Sequence, residues 1–367
     1  MTNLTTPSEP PLGQKPEADL AVTVLDVGHG NSAVVRDGST CAVIDAAPGD
    51  IVQRELDRVG CEHIEHLIIS HSDKDHAGSG PQILLDPLRT VGTAWFNPDA
   101  QKDSRIWARL IRAVHTRYRR GGFGGHQMLH TETPQTLYCG RARLEVCHPS
   151  FLMAGTGPTG TSPTFGKLDT NTVSIVVRVH LEEEPAILLA ADIDAVALKH
   201  IQENGQQLSA PVLVFPHHGG LPGKADPRAF AEELTELVAP RLVIFSIRGG
   251  LRPANPHREI MAGVRLAAPD AHIACTQLSV HCHEEKQLVS DRHLAVLPAA
   301  GRKSGRSCAG SVTVTRVEAG LRFDPPLETH LSFVDGGAVA NPLCRLPIPG
   351  PRKGPDNVGH KEVPDGT

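Results

Sequence analysis

Residues 64–80 read IEHLIISHSDKDHAGSG, and this stretch decides the fold that the sequence predicts. Its apolar part, centred on residues 67–69, has the length and composition of a buried β-strand. A polar cluster follows within six positions, and its members are His71, Asp73, Asp75 and His76. Sites in open α/β sheets lie beyond the carboxyl ends of the strands, so the cluster predicts a metal site at this strand end. The alternative is a solvated turn with incidental histidines.

The composition indicates a globular chain without a general affinity for polyanions. The chain has 367 residues, 40% of them hydrophobic, and a formal net charge of −5. A net acidic chain does not carry the global basic field of a nucleic-acid binder, although a local groove or bound metals can still hold phosphates. The eight cysteines come without a signal peptide, and no apolar run approaches about 18 residues. We therefore expect a cytoplasmic protein with reduced thiols and no membrane partner, and no protein partner can be named from the sequence.

The chain divides into one predicted domain and two tails. Residues 1–19 and 345–367 are polar and proline-rich, which predicts disordered tails. Residues 20–344 alternate strand and helix patterns and predict a single α/β domain. Three stretches interrupt that pattern: a glycine-rich segment at 121–125, a long loop at 150–170 and a Cys/His-rich loop at 275–310.

Three further predicted strands also end in residues that bind metals. The residues are His148, Asp192 and the pair His217 and His218. Imidazoles combined with carboxylates suit divalent transition metals. Because the candidates outnumber the four ligands of one tetrahedral site, we expect two ions, with zinc as the first expectation and manganese as the second. A carboxylate such as Asp192 could bridge two ions, which together can activate water for a displacement reaction.

Several motifs, in order along the chain, resemble those of the metallo-β-lactamase superfamily and, more narrowly, the soluble hydrolase domain of the ComEC-type competence channel. LDVGHGN at 25–31 resembles LDVGQGD, and VIDA at 43–46 resembles LIDAG. SHSDKDHAG at 70–78 resembles SHxDxDHxGG, NTVS at 171–174 resembles NNNS, and PHHG at 216–219 resembles PHHGS. The resemblance covers roughly residues 20–320 and implies an αββα four-layer sandwich. It does not extend to a membrane channel, so DNA uptake is not implied.

The resemblance also implies roles for individual residues. His71 and Asp73 would hold one metal, with Asp73 in a position where most of the superfamily has histidine. Asp75 and His76 would hold the second metal together with either His217 or His218, and Asp192 would bridge the two. His148 resembles a histidine of the family that follows a strand, and would be the third ligand of the first site. The departures Asn31, His29 and Ala191 remove no ligand, but they weaken any transfer of substrate identity.

Three other groups of residues have both a functional and a structural interpretation. Cys275, Cys282, His293 and Cys308 predict a second, structural zinc, although the spacing is irregular and the alternative is a loop with buried thiols. His257 resembles a family position beside the site and is a candidate catalytic residue, or else a solvated histidine at a helix start. The basic helix end with Arg112, Arg117, Arg119 and Arg120 predicts a surface that steers polyanions, or else a solvated helix face.

The sequence therefore predicts a metal-dependent hydrolase that uses a metal-bound hydroxide, with Asp75 both binding metal and orienting the nucleophile. A phosphodiester in nucleic acid or a nucleotide is the expected substrate, on the strength of the resemblance and not of the charge. Hydrolysis of another ester, a thioester or an amide is the first alternative, since one fold hosts many chemistries. A metal-binding scaffold or effector without turnover is the second.

Overall fold

A computed structural model describes residues 20–99, 104–162, 164, 166–250, 253–282 and 288–347. The predicted tail at 1–19 and residues 348–367 of the second tail lie outside the described residues. Arg345, which the sequence places in that second tail, ends a short 3-10 helix (Leu343–Arg345), and its guanidinium donates to the carboxylate of Asp335 at 2.7 and 2.9 Å. None of the helices in the described part of the chain has the length and apolar character that a membrane span requires.

Two large sheets organise the described residues. In spatial order, the first sheet contains β17 (Gly320–Asp324), β16 (Val312–Val317), β1 (Ala21–Val24), β2 (Ala33–Asp37), β3 (Thr40–Ile44), β4 (His63–Ile68), β5 (Thr90–Trp95) and β6 (Phe123–Gln127). The second contains β15 (His272–Cys275), β14 (Leu242–Phe245), β13 (Val212–Val214), β12 (Glu184–Leu189), β11 (Val176–Leu181), β8 (Ala142–His148) and β7 (Leu137–Cys139). Strands β3 to β6 pair in parallel, and so do β12 to β15.

The helices connect these strands. They are α1 (Ile51–Arg58), α2 (Lys74–Ala77), α3 (Gly80–Leu85), α4 (Arg105–Arg120), α5 (Phe151–Thr156), α6 (Ala195–Glu203), α7 (Pro227–Val238), α8 (Arg258–Ala267), α9 (Ala300–Ser304) and α10 (Leu327–Phe333). The chain also forms a short hairpin of two strands with two residues each, β9 (Thr161–Ser162) and β10 (Gly166–Lys167). Short connections between parallel strands and helices place successive strand ends at one edge of each sheet.

Three layers of apolar contacts hold the structure together. The central layer lies between the two sheets and includes Val22 and Ile44 from the first and Val177 and Ile187 from the second. The outer face of the first sheet packs against α1, α3 and α4, and that of the second packs against α6, α7 and α8. Two sheets face to face with helices on both outer surfaces form the predicted αββα sandwich, which is confirmed.

Two predicted loops contain regular structure. The glycine-rich segment 121–125 was expected to be a flexible loop, but Phe123–Gln127 forms the edge strand β6 beside β5. The long loop at 150–170 contains α5, where the Ser150 side chain caps the helix by accepting from the amide of Met153 at 3.3 Å. Both elements are short, and neither has enough residues to show a hydrophobic period.

Candidate metal centre

The donors gather where parallel strands of both sheets end. Strand β4 leads into the segment His71–His76, and the short helix α2 within it carries Asp75 and His76. In the second sheet, β12 is followed by Asp192 and β13 by a turn that contains His217 and His218. Because the carboxyl ends of parallel strands share an edge, residues more than a hundred positions apart in the chain meet at one place.

Four of the predicted ligands converge. Asp75, His76, Asp192 and His218 each offer a donor atom, and these atoms all lie within 4.8 Å of one another. Nε2 of His76 lies 3.1 Å from Oδ1 of Asp192, and Nε2 of His218 lies 3.3 Å from Oδ2 of Asp75. His76, Asp192 and His218 are buried, and Asp75 is half-buried. Among the described residues, this is the group whose geometry fits a metal ion.

Hydrogen bonds to the far side of each imidazole orient the two histidines. Nδ1 of His76 donates to Oδ2 of Asp45 at 2.7 Å, and Nδ1 of His218 donates to the carbonyl oxygen of Ser246 at 2.9 Å. Both Nε2 atoms therefore point into the cluster, and neither makes a hydrogen bond there. Oδ1 of Asp192 is likewise buried without a hydrogen-bond partner. Buried polar atoms are rarely left unsatisfied, so these three atoms fit a bound cation, with Asp45 and Ser246 acting as the outer partners that metal-binding histidines use.

An unusual backbone presents Asp192 and His218. Ala191, directly before Asp192, has φ 49°, and His217 and His218 have φ 52° and 55°. Residues other than glycine adopt this left-handed region at a cost of about 1–2 kcal/mol, and such conformations concentrate at functional sites. The amide of His217 donates to the carbonyl oxygen of Ala191 at 3.0 Å, which ties the two strained turns together.

His71 and Asp73 lie beside the cluster on the other side of Asp192. Nε2 of His71 is 3.9 Å from Oδ2 of both Asp73 and Asp192, and its ring centroid is 4.0 Å from that of His76. Asp192 thus lies near a histidine of each predicted site, with Oδ1 beside His76 and Oδ2 beside His71. His71 and Asp73 are not among the four described residues whose donor atoms converge, so a second cation position there stays a prediction.

The charges of the cluster stabilise one another. Burial opposes ionisation of Asp192, but the neighbouring His76 and His218 hold the pKa of its carboxyl well below the usual range. Burial also opposes a charge on His76, yet the carboxylates of Asp192 and Asp45 raise the pKa of its imidazole well above the usual value. Without a metal the acidic surroundings therefore favour a proton on His76. A metal must displace that proton, as is general for histidine ligands.

His29 joins the site although no ligand role is predicted for it. Its Nε2 lies 3.2 Å from Oδ2 of Asp75, and its ring centroid is 4.6 Å from that of His218. Burial, followed by the nearby His218, lowers the pKa of its imidazole. In the sequence, His29 is visible only as a histidine in place of the glutamine of the family motif. That substitution does not predict the direction of the side chain.

Two predicted ligands, His217 and His148, do not belong to the four-residue cluster. His217 lies on the same turn as His218, but its Nδ1 accepts from the Asn171 side chain at 3.3 Å, and His218 is the member of the pair in the cluster. His148 is fully buried, and its Nε2 donates to the carbonyl oxygen of Thr172 at 2.8 Å. Its ring lies 5.5 Å from that of His200, so its described contacts are not those of a ligand in the four-residue cluster.

His257 is exposed at the start of α8. Its Nδ1 accepts from the amide of Glu259 at 3.3 Å and so caps the helix. Its own amide donates to the carbonyl oxygen of Gly219 at 2.8 Å, next to the turn that carries His218. This bond ties the helix start to the metal-site turn, and a catalytic role for the side chain stays a prediction.

The predicted structural zinc set is not assembled among the described donors. Nε2 of His293 donates to the backbone carbonyl of Cys308 at 2.5 Å, and its ring stacks on Phe333 instead of facing the thiols. The Cys308 thiol instead faces Nε2 of His330 at 3.3 Å, and the Cys282 sulfur accepts from the amide of Leu343 at 3.3 Å. Burial raises the pKa of the Cys275, Cys282 and Cys308 thiols, so all three favour the protonated form, which is a poor metal ligand.

One of the four arginines of the predicted basic surface on α4 is not at the surface. Arg117 is buried, and its guanidinium donates to the carbonyl oxygens of Asp86, Arg89 and Gly122. It ties α4 to neighbouring loops. Arg112, Arg119 and Arg120 are exposed, as a solvated helix face requires.

A family model described as the metallo-beta-lactamase superfamily matches residues 25–85, which include β2 to α3 and the DKDH segment. The chain has the metallo-beta-lactamase fold. The match includes Asp75 and His76, whereas Asp192 and His218 lie outside it. No curated protein matches the sequence.

Several solved structures align with this metallo-beta-lactamase fold over most of their length. The metallo-beta-lactamase fold protein YhfI from Bacillus subtilis is 10% identical with a TM-score of 0.43, covering 70% of this chain and 96% of its own. Unliganded yeast PDE1 is 12% identical with a TM-score of 0.44, covering 70% and 97%. Igni18, a metallo hydrolase from the archaeon Ignicoccus hospitalis, is 14% identical with a TM-score of 0.40, covering 69% and 94%.

Proposed function

We propose that this chain is a divalent-metal-dependent hydrolase that cleaves a phosphodiester, in a nucleic acid or a nucleotide. The observation that carries the proposal is the set of buried atoms without a hydrogen-bond partner on His76, Asp192 and His218. Hydrogen bonds to Asp45 and Ser246 orient the rings of His76 and His218, respectively. A metal-dependent hydrolase is the function that the fold and this donor set support best.

The residues of the chain divide the work as follows. His76, His218, Asp192 and Asp75 would hold one divalent ion, and His71 and Asp73 would hold a second together with Asp192. When bound, the ions supply Lewis acidity and lower the pKa of water. Asp75 is half-buried and borders an open cleft, so its carboxylate can accept a hydrogen bond from the attacking water and orient it. Zinc is the proposed metal, with manganese as the second candidate.

The substrate class is supported by the motif and by the donor set. Asp73 stands where most of the superfamily has a histidine, and in this it resembles the ComEC-type branch, whose substrate would be nucleic acid. Paired cation positions that share a carboxylate also suit in-line displacement at phosphorus, because they can stabilise both the attacking and the leaving oxygen.

Two alternatives make different predictions. A hydrolase of another ester, a thioester or an amide would load metal and turn over a carboxylic ester but no phosphodiester. A metal-binding scaffold would load metal and turn over neither. The open cleft that borders half-buried Asp75 argues against a scaffold, because structural metal sites are closed and catalytic ones keep an open position.

The test combines metal content with turnover. The purified protein is loaded with zinc or with manganese, its metal content is measured, and its hydrolysis of bis(p-nitrophenyl) phosphate, single-stranded DNA and RNA is assayed. We expect bound metal and turnover of at least the aryl diester in the wild type, and loss of both in the double variant Asp75→Ala/His76→Ala. The matched control is His115→Ala/Asp270→Ala, which removes the same residue types from exposed positions on α4 and after α8.

Three outcomes would contradict the proposal. Retained metal and turnover in Asp75→Ala/His76→Ala would place the chemistry elsewhere. Turnover of a small carboxylic ester without any phosphodiester would favour the first alternative. Metal binding without turnover of either ester would favour the scaffold.

A further inference from the structure

The cleft beside the candidate metal centre differs in charge from the rest of the chain. It has a volume of about 860 Å³, and Asp75 and His29 are among its lining residues. A second cleft of similar size, about 840 Å³, lies between β15 and α10, and its described lining includes none of the four cluster residues. A volume of this order accommodates a nucleotide-sized ligand. The cleft that borders Asp75 is therefore the one a substrate would occupy.

Three cations from three separate parts of the fold line this cleft. Lys74 immediately precedes Asp75, Arg248 follows β14 and Arg306 precedes β16. Lys74 and Arg248 are exposed, and Arg306 is half-buried. Asp75 is the one acidic side chain among the described lining residues, and it faces the metal centre. In a chain with a formal net charge of −5, this local excess of positive charge favours an anionic ligand.

A hydrogen-bonded network fixes the outer wall of the cleft. Nη1 of Arg306 donates to the carbonyl oxygen of Gly249 at 3.3 Å, and the amide of Gly249 donates to Oε1 of Gln277 at 2.9 Å. Nε2 of Gln277 donates to Oδ1 of Asp26 at 2.7 Å, and Oδ2 of Asp26 accepts from the amide of Gly301 at 2.9 Å. The loops that carry Arg248 and Arg306 are thus joined to each other and to the loop after β1. Loops held in place in this way bind a ligand with little ordering cost.

The same loops also hold the metal centre. Ser246, whose carbonyl orients His218, lies two residues before Arg248, and its hydroxyl donates to the carbonyl oxygen of Gly30 at 2.7 Å. Arg248 therefore lies close in sequence to Ser246, which orients a candidate metal ligand. Lys74 is adjacent to Asp75, which is itself a candidate ligand. A substrate with one phosphate at the metals and a further phosphate in the cleft would place that further phosphate among these cations.

We propose, resting on the proposed phosphodiesterase function, that Lys74, Arg248 and Arg306 form a binding site for a second phosphate of the substrate. The preferred substrate is then a phosphodiester that carries a further phosphate beside the one cleaved, as an oligonucleotide or a phosphorylated dinucleotide does. Arg248 is the specificity-determining residue that tests this, because its exposed side chain can be changed without touching a candidate ligand.

The experiment compares substrates that differ in one phosphate. Steady-state kinetics of the metal-loaded full chain are measured on four substrates. They are bis(p-nitrophenyl) phosphate, a dinucleotide with a 5′-phosphate, the same dinucleotide without that phosphate, and a 12-nucleotide single-stranded DNA. In Arg248→Gln we expect KM for the phosphorylated dinucleotide to rise about 10-fold or more with kcat nearly unchanged, as loss of a charged phosphate contact implies. KM for the aryl diester should change less than about 2-fold, since it has no second phosphate to lose.

Binding supplies a readout that does not depend on turnover. Anisotropy of labelled 12-nucleotide DNA, with chelator present, should show weaker binding in Arg248→Gln and a salt dependence whose slope falls by about one phosphate contact. Arg54→Gln, an exposed charge change on α1, is the matched control and should leave binding and KM unchanged. The dinucleotide and DNA arms separate a terminal phosphate from an internucleotide phosphate as the natural occupant.

The possible failures can be told apart. Equal effects of Arg248→Gln on the aryl diester and on the phosphorylated dinucleotide would overturn the second-phosphate site and leave the phosphodiesterase function standing. An equal loss of DNA binding in Arg54→Gln would also overturn it, because binding would then follow net charge. No turnover of any phosphodiester by the wild type would overturn the proposed function itself.

Discussion

Asp45 shows how much of the site depends on residues that do not bind the metal. It has φ 59°, and its carboxylate accepts from the amide and hydroxyl of Ser70 at 2.7 and 2.8 Å as well as from His76. These contacts make Asp45 a structural hydrogen-bonding residue. What the sequence did not reveal is that the bond sets the tautomer and direction of a candidate ligand.

His148 gives a prediction about pH. Burial lowers the pKa of its imidazole to about 3, compared with an ordinary value of 6.5. Between those values the unfolded chain binds a proton that the folded chain does not, so the free energy of unfolding falls as the pH falls from 6.5 towards 3. One such group contributes about 2 kcal/mol between pH 7 and pH 5.

The measurement is denaturant unfolding at several pH values between 7 and 5. We expect His148→Gln, which keeps a donor for the Thr172 carbonyl, to reduce the pH dependence by about one proton. His115→Gln changes an exposed histidine and should leave the pH dependence as it is. An unchanged slope in His148→Gln would show that this residue is not kept neutral by burial.

The two residues of the PHHG turn illustrate why sequence alone left an ambiguity. His217 and His218 are adjacent, and both are chemically suited to a metal. Their successive left-handed conformations turn His218 towards Asp75 and Asp192 and leave His217 beside Asn171. Backbone conformations of this kind depend on the surrounding fold and leave no periodic pattern in the sequence.

At the scale of elements, the starts of long helices in the second half follow from the local sequence. Helix α6 begins after Asp194, whose carboxylate accepts from the amide of Ala197 at 2.9 Å, and α7 begins after Asp226 with Pro227 in the first position. Caps, proline and apolar spacing agree there, so local and global preferences coincide. Strand β6 and helix α5 lack such agreement, which is why both were expected to be loop.

Strand β6 supplies a prediction of its own. A Cβ atom on Gly124 would collide with the backbone carbonyl of Gly92 in β5, so glycine is required for these strands to approach. We expect Gly124→Ala to lower the free energy of unfolding by about 1–3 kcal/mol, because backbone must shift to make room. Chemical denaturation followed by the fluorescence of the two tryptophans, Trp95 in β5 and Trp107 in α4, measures this change.

The control is Gly155→Ala on α5, where a Cβ would meet no atom within 4 Å and alanine favours the helix. Its stability should be unchanged or slightly higher. If Gly124→Ala were as stable as the wild type, close packing of β6 on β5 would not explain the glycines.

At the scale of the whole molecule, the metal centre joins the two halves of the sandwich. Asp75 and His76 follow a strand of the first sheet, whereas Asp192 and His218 follow strands of the second. Which sheet edges face each other depends on the packing of both sheets, so spacing in the sequence predicted the donor types and their strand ends but not which four meet.

Metal removal should therefore lower global stability. A ligand at 1,000 times its Kd stabilises the folded state by about 4 kcal/mol, because it does not bind the unfolded chain in the same way. We expect chelation to lower the Tm by roughly 5–10 °C in a chain of this size. Differential scanning calorimetry with and without chelator measures the shift, and Asp75→Ala/His76→Ala should show none. A Tm that does not respond to chelator in the wild type would mean that the donors are not linked by a metal in the folded state.

The place of β1 in the first sheet has a consequence for biosynthesis. Strand β1 begins the described fold, yet it pairs on one side with β16, whose residues lie about 290 positions later, as in the register Ala21↔Thr315. A ribosome adds about 5–20 residues per second, so one edge of β1 stays open for many seconds while the rest of the chain is made. An unpaired edge of this kind invites pairing with other chains. The first sheet can therefore be completed only late in synthesis. The yield of folded protein in a cell would depend on chaperones that cover this edge until β16 has been synthesised.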